Sequence, residues 1–328
     1  MVIISREAIK SAQIKLNNFK NFIGYRTRLL KKIFFNGKCP PIKNDFSLAL
    51  PFNFSFDFGH QLNKIGVVCH IFNIEIADEM LGYLLNITFQ CDLYVSTDTK
   101  EKCFIIKEKF KKWKMGSVLV RVSENRGRDI SHKYITFSDV FDKYRILLFL
   151  HSKKTQALDG AEEWRKNLFY TLCGSEDIVN NILFIFEQFK DIGIIFPQHY
   201  TKIRKYVTWN DSYFISKKLA ARMGIKIWPR RTLDFPAGSM FWARSDALHP
   251  ILRLNLAMID FPPELGQTEG TIAHALERLP LFACEKAGYK WIKVSTRNFC
   301  DLNETAIAVD KLDDLNMYLK NYLYNLMY

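Results

Sequence analysis

Between residues 64 and 150 a short apolar run is followed again and again by a stretch of helical spacing, and no other feature narrows the possible folds as far. Lys64 to Phe72 has the composition of a buried strand, and the apolar positions from Ile74 to Asn86 recur at helical intervals. Asp92 to Thr97 and the basic stretch Lys100 to Trp113 repeat the unit. Val118 to Val122 is a third strand, and Tyr144 to Leu150 a fourth, after a helix over roughly 131–142. Strands that alternate with helices in this way predict an α/β fold on a mostly parallel sheet. In such sheets ligands bind outside the carboxyl ends of the strands, so residues just after each apolar run are the first candidates for function.

The second half keeps the alternation less strictly. Helices are expected over about 161–172 and 175–190, strands at Gly193 to Phe196, Phe241 to Ala243 and Trp291 to Val294, and a helix from Thr271 to Leu279. Residues 200–234 are aromatic and basic with little periodicity, and 39–63, rich in Pro, Phe and Asn, are expected to be an irregular connector. Leu312, Leu315, Leu319, Tyr322 and Leu326 form an amphipathic stripe, which gives a C-terminal helical segment over 301–328 behind a main domain of 64–300.

The charge is unevenly spread. Residues 1–38 carry nine basic side chains against one acid, Glu7, so about +8 of the net +13 sits there. Ile9, Ala12, Leu16, Phe19 and Ile23 share one helical face in that segment. A basic amphipathic helix of this kind either lies on an anionic bilayer or docks its apolar face on the main domain, and the sequence leaves both open. No apolar run of about 18 residues and no signal-peptide core is present, so the expectation is a cytoplasmic protein, peripheral on the inner face of the membrane. Seven scattered cysteines without a C-x-x-C pair argue against a zinc site or a disulfide framework. Basicity and aromatics also raise a nucleic-acid-binding protein, which the confinement of the excess charge to one terminal segment disfavours.

Four stretches carry the chemistry. Phe235-Pro-Ala-Gly-Ser-Met-Phe-Trp-Ala-Arg244 is a small-residue turn that lets backbone approach a ligand. Gly266-Gln-Thr-Glu-Gly-Thr-Ile-Ala-His-Ala-Leu-Glu-Arg278 sets an acid, Glu269, ahead of a helix with His274, Glu277 and Arg278. Those three either form a buried polar network or an exposed salt-bridged face. In Glu124-Asn-Arg-Gly-Arg-Asp129, Gly127 permits a turn, and Arg126 and Arg128 have the planar donors that grip phosphate in pairs. Leu150-His-Ser-Lys-Lys-Thr155 ends an apolar run abruptly in cationic residues.

Taken together and in this order, these stretches resemble the rhamnan synthesis protein F family, bacterial glycosyltransferases that build rhamnose-containing surface polysaccharides, over roughly residues 64 to 295. The resemblance implies a GT-A-like fold, a Rossmann-type nucleotide-sugar-binding domain. It implies an inverting transfer of a deoxyhexose, most readily L-rhamnose from a donor such as dTDP-L-rhamnose, to a lipid-linked glycan. A catalytically silent assembly subunit of polysaccharide synthesis is the alternative. The nucleotide and diphosphate would meet His70, Asn73, Glu75, Asp98, Asn125, Arg126, Arg128, Asp129, His151, Lys153 and Lys154. Asp98 has a second reading as a helix N-cap.

Metal-dependent GT-A enzymes place an Asp-x-Asp where this chain has His151, Lys153 and Lys154. Two lysines cannot ligate a hard cation, but they can neutralise a diphosphate leaving group, so no metal cofactor is expected. The family's acidic residue at a late helix start matches Glu269, the expected general base, with Glu here where Asp is common. Gly238, Ser239, Trp242, Trp209, His274, Glu277 and Arg278 would face the donor sugar and acceptor, although tryptophans more often pack in a core.

Overall fold

The computed structural model describes residues 37–56, 64–152, 160–267, 269–296, 305–323 and 326–327. Its centre is a nine-stranded sheet in the order β4-β3-β2-β5-β7-β6-β8-β1-β9. The strands are β1 Ser47–Leu50, β2 Ile65–His70, β3 Cys91–Thr97, β4 Val118–Val122, β5 Ile146–His151, β6 Ile192–Pro197, β7 Phe241–Arg244, β8 Lys290–Thr296 and β9 Ala306–Ile307. All neighbours pair in parallel except β7, which runs antiparallel to both β5 and β6. The mostly parallel α/β fold expected from the alternation is therefore what the chain adopts.

Both faces of the sheet are covered, as a parallel sheet requires. Along β2 and β5 the side chains alternate by the two-residue period of a strand. Val67, Cys69, Leu148 and Leu150 pack with Leu168 and Phe169 of the helix Ala161–Cys173 and with Ile182 and Phe186 of Glu176–Gln188. Val68, Leu147 and Phe149 face the other way, against Tyr134, Phe137, Leu248 and Leu276. Each such large side chain, once enclosed, contributes about 1.5–3 kcal/mol relative to exposure.

The reversal at β7 decides where the site lies. Phe241 pairs with Phe149 and Arg244 with Ile146, so β7 begins beside the carboxyl end of β5 and finishes at its amino end. The turn before β7 is thereby delivered to the end of the sheet where His70, Thr97, Val122 and His151 also emerge.

Three expectations need correction. The supposed connector contains β1, which pairs with β8 and β9 inside the main sheet; its four residues, Ser47 to Leu50, are too few for periodicity to register. The helix expected over 131–142 is a short helix Arg128–Ser131, a wider turn His132–Thr136 and a 3-10 turn Ser138–Val140. Within the aromatic stretch 200–234 lies a regular helix, Tyr213–Arg222. The basic N-terminal segment up to residue 36 lies outside the described residues; of the C-terminal stripe, Leu312, Leu315 and Leu319 lie in the helix Leu312–Asn321, while Tyr322 caps it and Leu326 falls beyond it.

Candidate functional site

The turn before β7 is gripped from three directions. Gly238 and Ser239 both adopt left-handed backbone, φ 88° and 60°. Glycine takes this conformation freely and serine at a cost. A Cβ on Gly238 would also come within 2.8 Å of Leu168. The Gly238 amide donates to Glu277 Oε1 at 3.2 Å, and its carbonyl accepts from His151 Nε2 at 2.6 Å. Lys133 Nζ donates to the Ser239 carbonyl and hydroxyl at 2.8 and 2.7 Å. Residues of three separate sequence motifs thus meet on two consecutive turn residues, together with a lysine that sequence reasoning missed.

Lys133 is buried, with Asp129 Oδ2 3.7 Å away and the ring of Phe241 4.8 Å from its nitrogen. Burial outweighs the attraction of Asp129 and Glu277 and pulls its pKa down to about 8. The only hint in the sequence was its place four residues after Asp129, one helical turn on.

Upstream of it, Gly127 and Arg128 are both left-handed, φ 65° and 52°, and Phe261 fills the space a Cβ on Gly127 would need. This turn aims Arg126 and Arg128 at the loop 258–267. Arg126 donates to the Phe261 carbonyl at 2.9 Å and pairs with Glu124 at 2.8 Å; Arg128 pairs with Glu264 at 3.2 Å and donates to the Gln267 carbonyl. Asn125 is exposed beside them. Both arginine side chains stay partly exposed, the arrangement expected of groups that can exchange a surface partner for an anion.

Glu269 is held rather than free. Its Oε1 accepts from Arg278 at 2.7 Å and Asn210 at 3.4 Å, and its Oε2 accepts from Ser212 at 3.1 Å. Arg278 is buried and is itself fixed by the Thr208 and His274 carbonyls at 2.8 and 2.6 Å. The Glu269 side chain nonetheless stays 28% exposed, so it is oriented but not sealed off. His274 is buried too, bonded through Nδ1 to Thr271 at 2.7 Å, while its Nε2 has no hydrogen-bond partner. Burial lowers its pKa and keeps it neutral. The exposed salt-bridged face is therefore corrected: His274 and Arg278 belong to a buried network, and Glu277 reaches back to Gly238.

At the ends of β2 and β3 the His70 ring stacks on His132, centroids 4.0 Å apart, and bonds Ser96 at 3.0 Å. Burial depresses both histidines, His70 strongly and His132 to about 4. Asp98 is not an N-cap; Thr99 caps that helix, and Asp98 pairs with Lys102 at 2.7 Å. Asn73 closes on Ser152, its amide donating to Oγ at 2.9 Å and its side chain to the carbonyl at 2.7 Å. Asn73 thereby clamps the loops after β2 and β5 to each other. Ser152 is the buried partner that makes this clamp and, like Lys133, was not singled out from sequence. Glu75 is exposed in the first turn after that loop. Lys153 and Lys154 lie outside the described residues.

Two stacking candidates are corrected outright. Trp242 is fully buried, donating to the Leu172 carbonyl at 3.0 Å, and Trp209 is enclosed against Tyr213 and Phe282. Neither presents a ring face to a ligand. Phe241 is core as well.

On the far side of the same turn, Asp234 starts a second ionic cluster. Lys293 bonds Asp45 and Asp234 at 2.5 Å each, His199 donates to Asp234 at 2.7 Å, and Arg204 pairs with Asp45. Cys39, His199 and Asp234 have donor atoms within 4.8 Å of one another, a mixed set that in other surroundings suits zinc. Here two cations already balance two carboxylates, and burial pushes the Cys39 thiol up. A divalent ion would bring uncompensated charge into a closed site, so the donors do not fit one.

The match of a family model bears out the family resemblance. The sequence model of rhamnan synthesis protein F matches residues 39–289. The protein WxcX of Xanthomonas campestris pv. campestris strain B100 is 29% identical over 226 residues, 68% of this chain and 32% of WxcX, and WxcX of strain ATCC 33913 matches to the same extent. The chain thus spans about a third of the length of these curated relatives. Among solved structures, 4-diphosphocytidyl-2C-methyl-D-erythritol synthase of Anaerococcus prevotii aligns over 79% of this chain and 97% of its own, at 11% identity and a TM-score of 0.38. Among the described residues no helix is long and apolar enough to cross a membrane.

Proposed function

Because the chain belongs to the rhamnan synthesis protein F family, we propose that it acts in polysaccharide synthesis as an inverting glycosyltransferase of GT-A type. It moves a deoxyhexose, L-rhamnose first, from a nucleotide diphosphate to a glycan carried on lipid. The observation that carries this reading is the convergence of His151, Lys133 and Glu277 on Gly238 and Ser239, at the end of a parallel sheet where nucleotides are bound in α/β proteins.

In this mechanism Arg126 and Arg128 meet the diphosphate, the role the sequence also assigns to Lys153 and Lys154, with Asp98 and Glu75 on the nucleoside side. Glu269 takes the proton of the acceptor hydroxyl as its oxygen bonds to the anomeric carbon. The bond from that carbon to the diphosphate oxygen breaks on the opposite side, and the departing charge is met by the cationic groups. Ser212 and Arg278 orient the carboxylate, leaving a lone pair on Oε2 for the proton. The mechanism assigns no step to a metal.

Release of nucleoside diphosphate from a panel of nucleotide sugars, with and without EDTA, tests the proposal. Release from a deoxyhexose donor that persists in chelator is expected. Activity abolished by EDTA and restored by Mn²⁺ would refute the metal-free mechanism, and no release from any donor with the full acceptor mixture would refute the transfer. Sedimentation with anionic vesicles tests the membrane address: binding should weaken steeply with salt and be lost without residues 1–38. Equal binding by the shortened chain would remove that segment from the account.

A further inference from the structure

Lys133 offers three N–H donors and no acceptor, so every oxygen it touches must accept from it. It touches both oxygens of Ser239, and the Ser239 amide is already spent on the Pro236 carbonyl at 2.7 Å. The Ser239 hydroxyl, accepting from the ammonium, still carries a proton that has no acceptor among the described residues. In a side chain only 5% exposed, a donor left over in this way calls for a partner. That proton is the one donor this side chain has left for a ligand, beside a second lone pair on its oxygen.

We propose that Lys133 is a positioning residue that turns the Ser239 hydroxyl into an obligatory hydrogen-bond donor, and that the oxygen it serves belongs to the diphosphate of the donor. The assignment of the ligand rests on the reading of the site as a nucleotide-sugar pocket. Lys133 also ties the turn 126–129, through Asp129, to the turn 235–239, so the two phosphate-facing segments keep one spacing. Once the lysine is neutral it can accept, the serine can point its proton inward, and the donor toward the ligand is lost.

Among the described residues the charged groups that act on the amine are Asp129 on its own segment and Glu277 on the helix opposite; the rings of Tyr134, of Phe149 on β5 and of Phe241 on β7 lie near it, and His151 at the end of β5 bonds the neighbouring Gly238 carbonyl. Both carboxylates favour the ammonium and burial opposes it, so the amine loses its proton near pH 8 rather than in the usual lysine range. Ligand affinity is therefore expected to fall as pH rises through about 8. The stability contribution of the same group has the opposite sign. Because its folded-state pKa is lowered, the unfolded chain binds the extra proton between about 8 and the ordinary lysine value, and this group's contribution to stability rises over that window. A merely structural lysine would not weaken binding where it does not weaken the fold.

Calorimetric titration of the full chain with dTDP and with inorganic pyrophosphate, from pH 6.5 to 9.5, tests this, with thermal melts of each sample. Wild-type affinity should fall about tenfold across the series. Ser239→Ala should lose about 10- to 100-fold at pH 7 and flatten the pH dependence, Lys133→Met should match it, and the double variant should be no worse than either. If Lys133→Met fails to fold, Ser239→Ala against the wild-type pH profile decides. Wild-type binding with Ser239→Ala unchanged in affinity and profile would overturn the role of the pair alone. Absence of wild-type binding to dTDP, other nucleoside diphosphates and pyrophosphate would overturn the donor assignment and this role with it.

Discussion

Around Lys293 each charged group has a charged partner, whereas around Lys133 the accounts stay open. Lys293 sits between Asp45 and Asp234, with Arg204 and His199 completing the set. Near Lys133 there remain an unspent serine proton, a buried His132 Nε2 and a buried His274 Nε2 without partners, and a partly exposed Glu269 side chain. The two clusters are joined by six residues of chain, Asp234 to Ser239. Their difference is that between an assembly that holds a turn in place and a surface the turn presents. Buried polar atoms left unsatisfied cost stability, and a fold keeps them where a ligand supplies the missing partner.

The sharpest way to break this comparison is at Glu269. Glu269→Gln should keep the fold and donor affinity while lowering turnover by about 10²–10⁴-fold, the share of a positioned base. Steady-state kinetics showing near-normal turnover would move the base elsewhere, with Asp129 and Glu277 next. On the closed side, Lys293→Met leaves Asp45 and Asp234 facing each other without their shared cation. Urea denaturation should register a loss of about 3–5 kcal/mol. A loss below about 1 kcal/mol would mean that the network does not anchor the turn.

Acid sharpens the contrast. His132 is buried and neutral, so as pH falls from 6.5 toward about 4 the unfolded chain gains a proton that the folded chain refuses, and stability declines over that window by about 2–3 kcal/mol. His70 acts in the same direction. The slope should flatten in His132→Gln; an unchanged slope would locate the acid sensitivity elsewhere. Arg128→Ala should weaken donor binding by about 1.5–3 kcal/mol, the range for a charge-assisted hydrogen bond, with the melting temperature almost unmoved. Unaltered affinity would take Arg128 out of the pocket. At the bottom of the scale, Lys111→Ala breaks an exposed pair with Glu108 and should change stability by less than about 0.5 kcal/mol. A larger loss would show that surface pairs carry more of this fold than either cluster implies.

Much of the architecture was legible because it is periodic. β2 through β5 show as apolar runs, and the turns after them show as polar breaks in those runs. β1 was missed because four residues cannot display a period, and the helix over 131–142 was misread because its apolar positions belong to three differently wound turns. In the site, Gly238, Glu277 and Arg278 could be picked out because their motifs are polar where a core is expected. Lys133 and Ser152 could not. A buried lysine or serine has the same letter as an exposed one, and what marks these two is the partner each finds some 80 to 106 residues away. Trp209 and Trp242 erred in the opposite direction, since an aromatic ring suits both a sugar and a core, and here the core took both.

The central claim is that the β2–β5–β7 side of the sheet end receives the donor and the β6–β8–β1 side is sealed. Amide hydrogen exchange with and without saturating dTDP tests it on the unmodified chain. Protection should appear in peptides spanning 70–75, 124–129 and 236–239 and be absent from 42–50 and 290–296. Protection confined to the second set, around Asp45 and Lys293, would contradict the account.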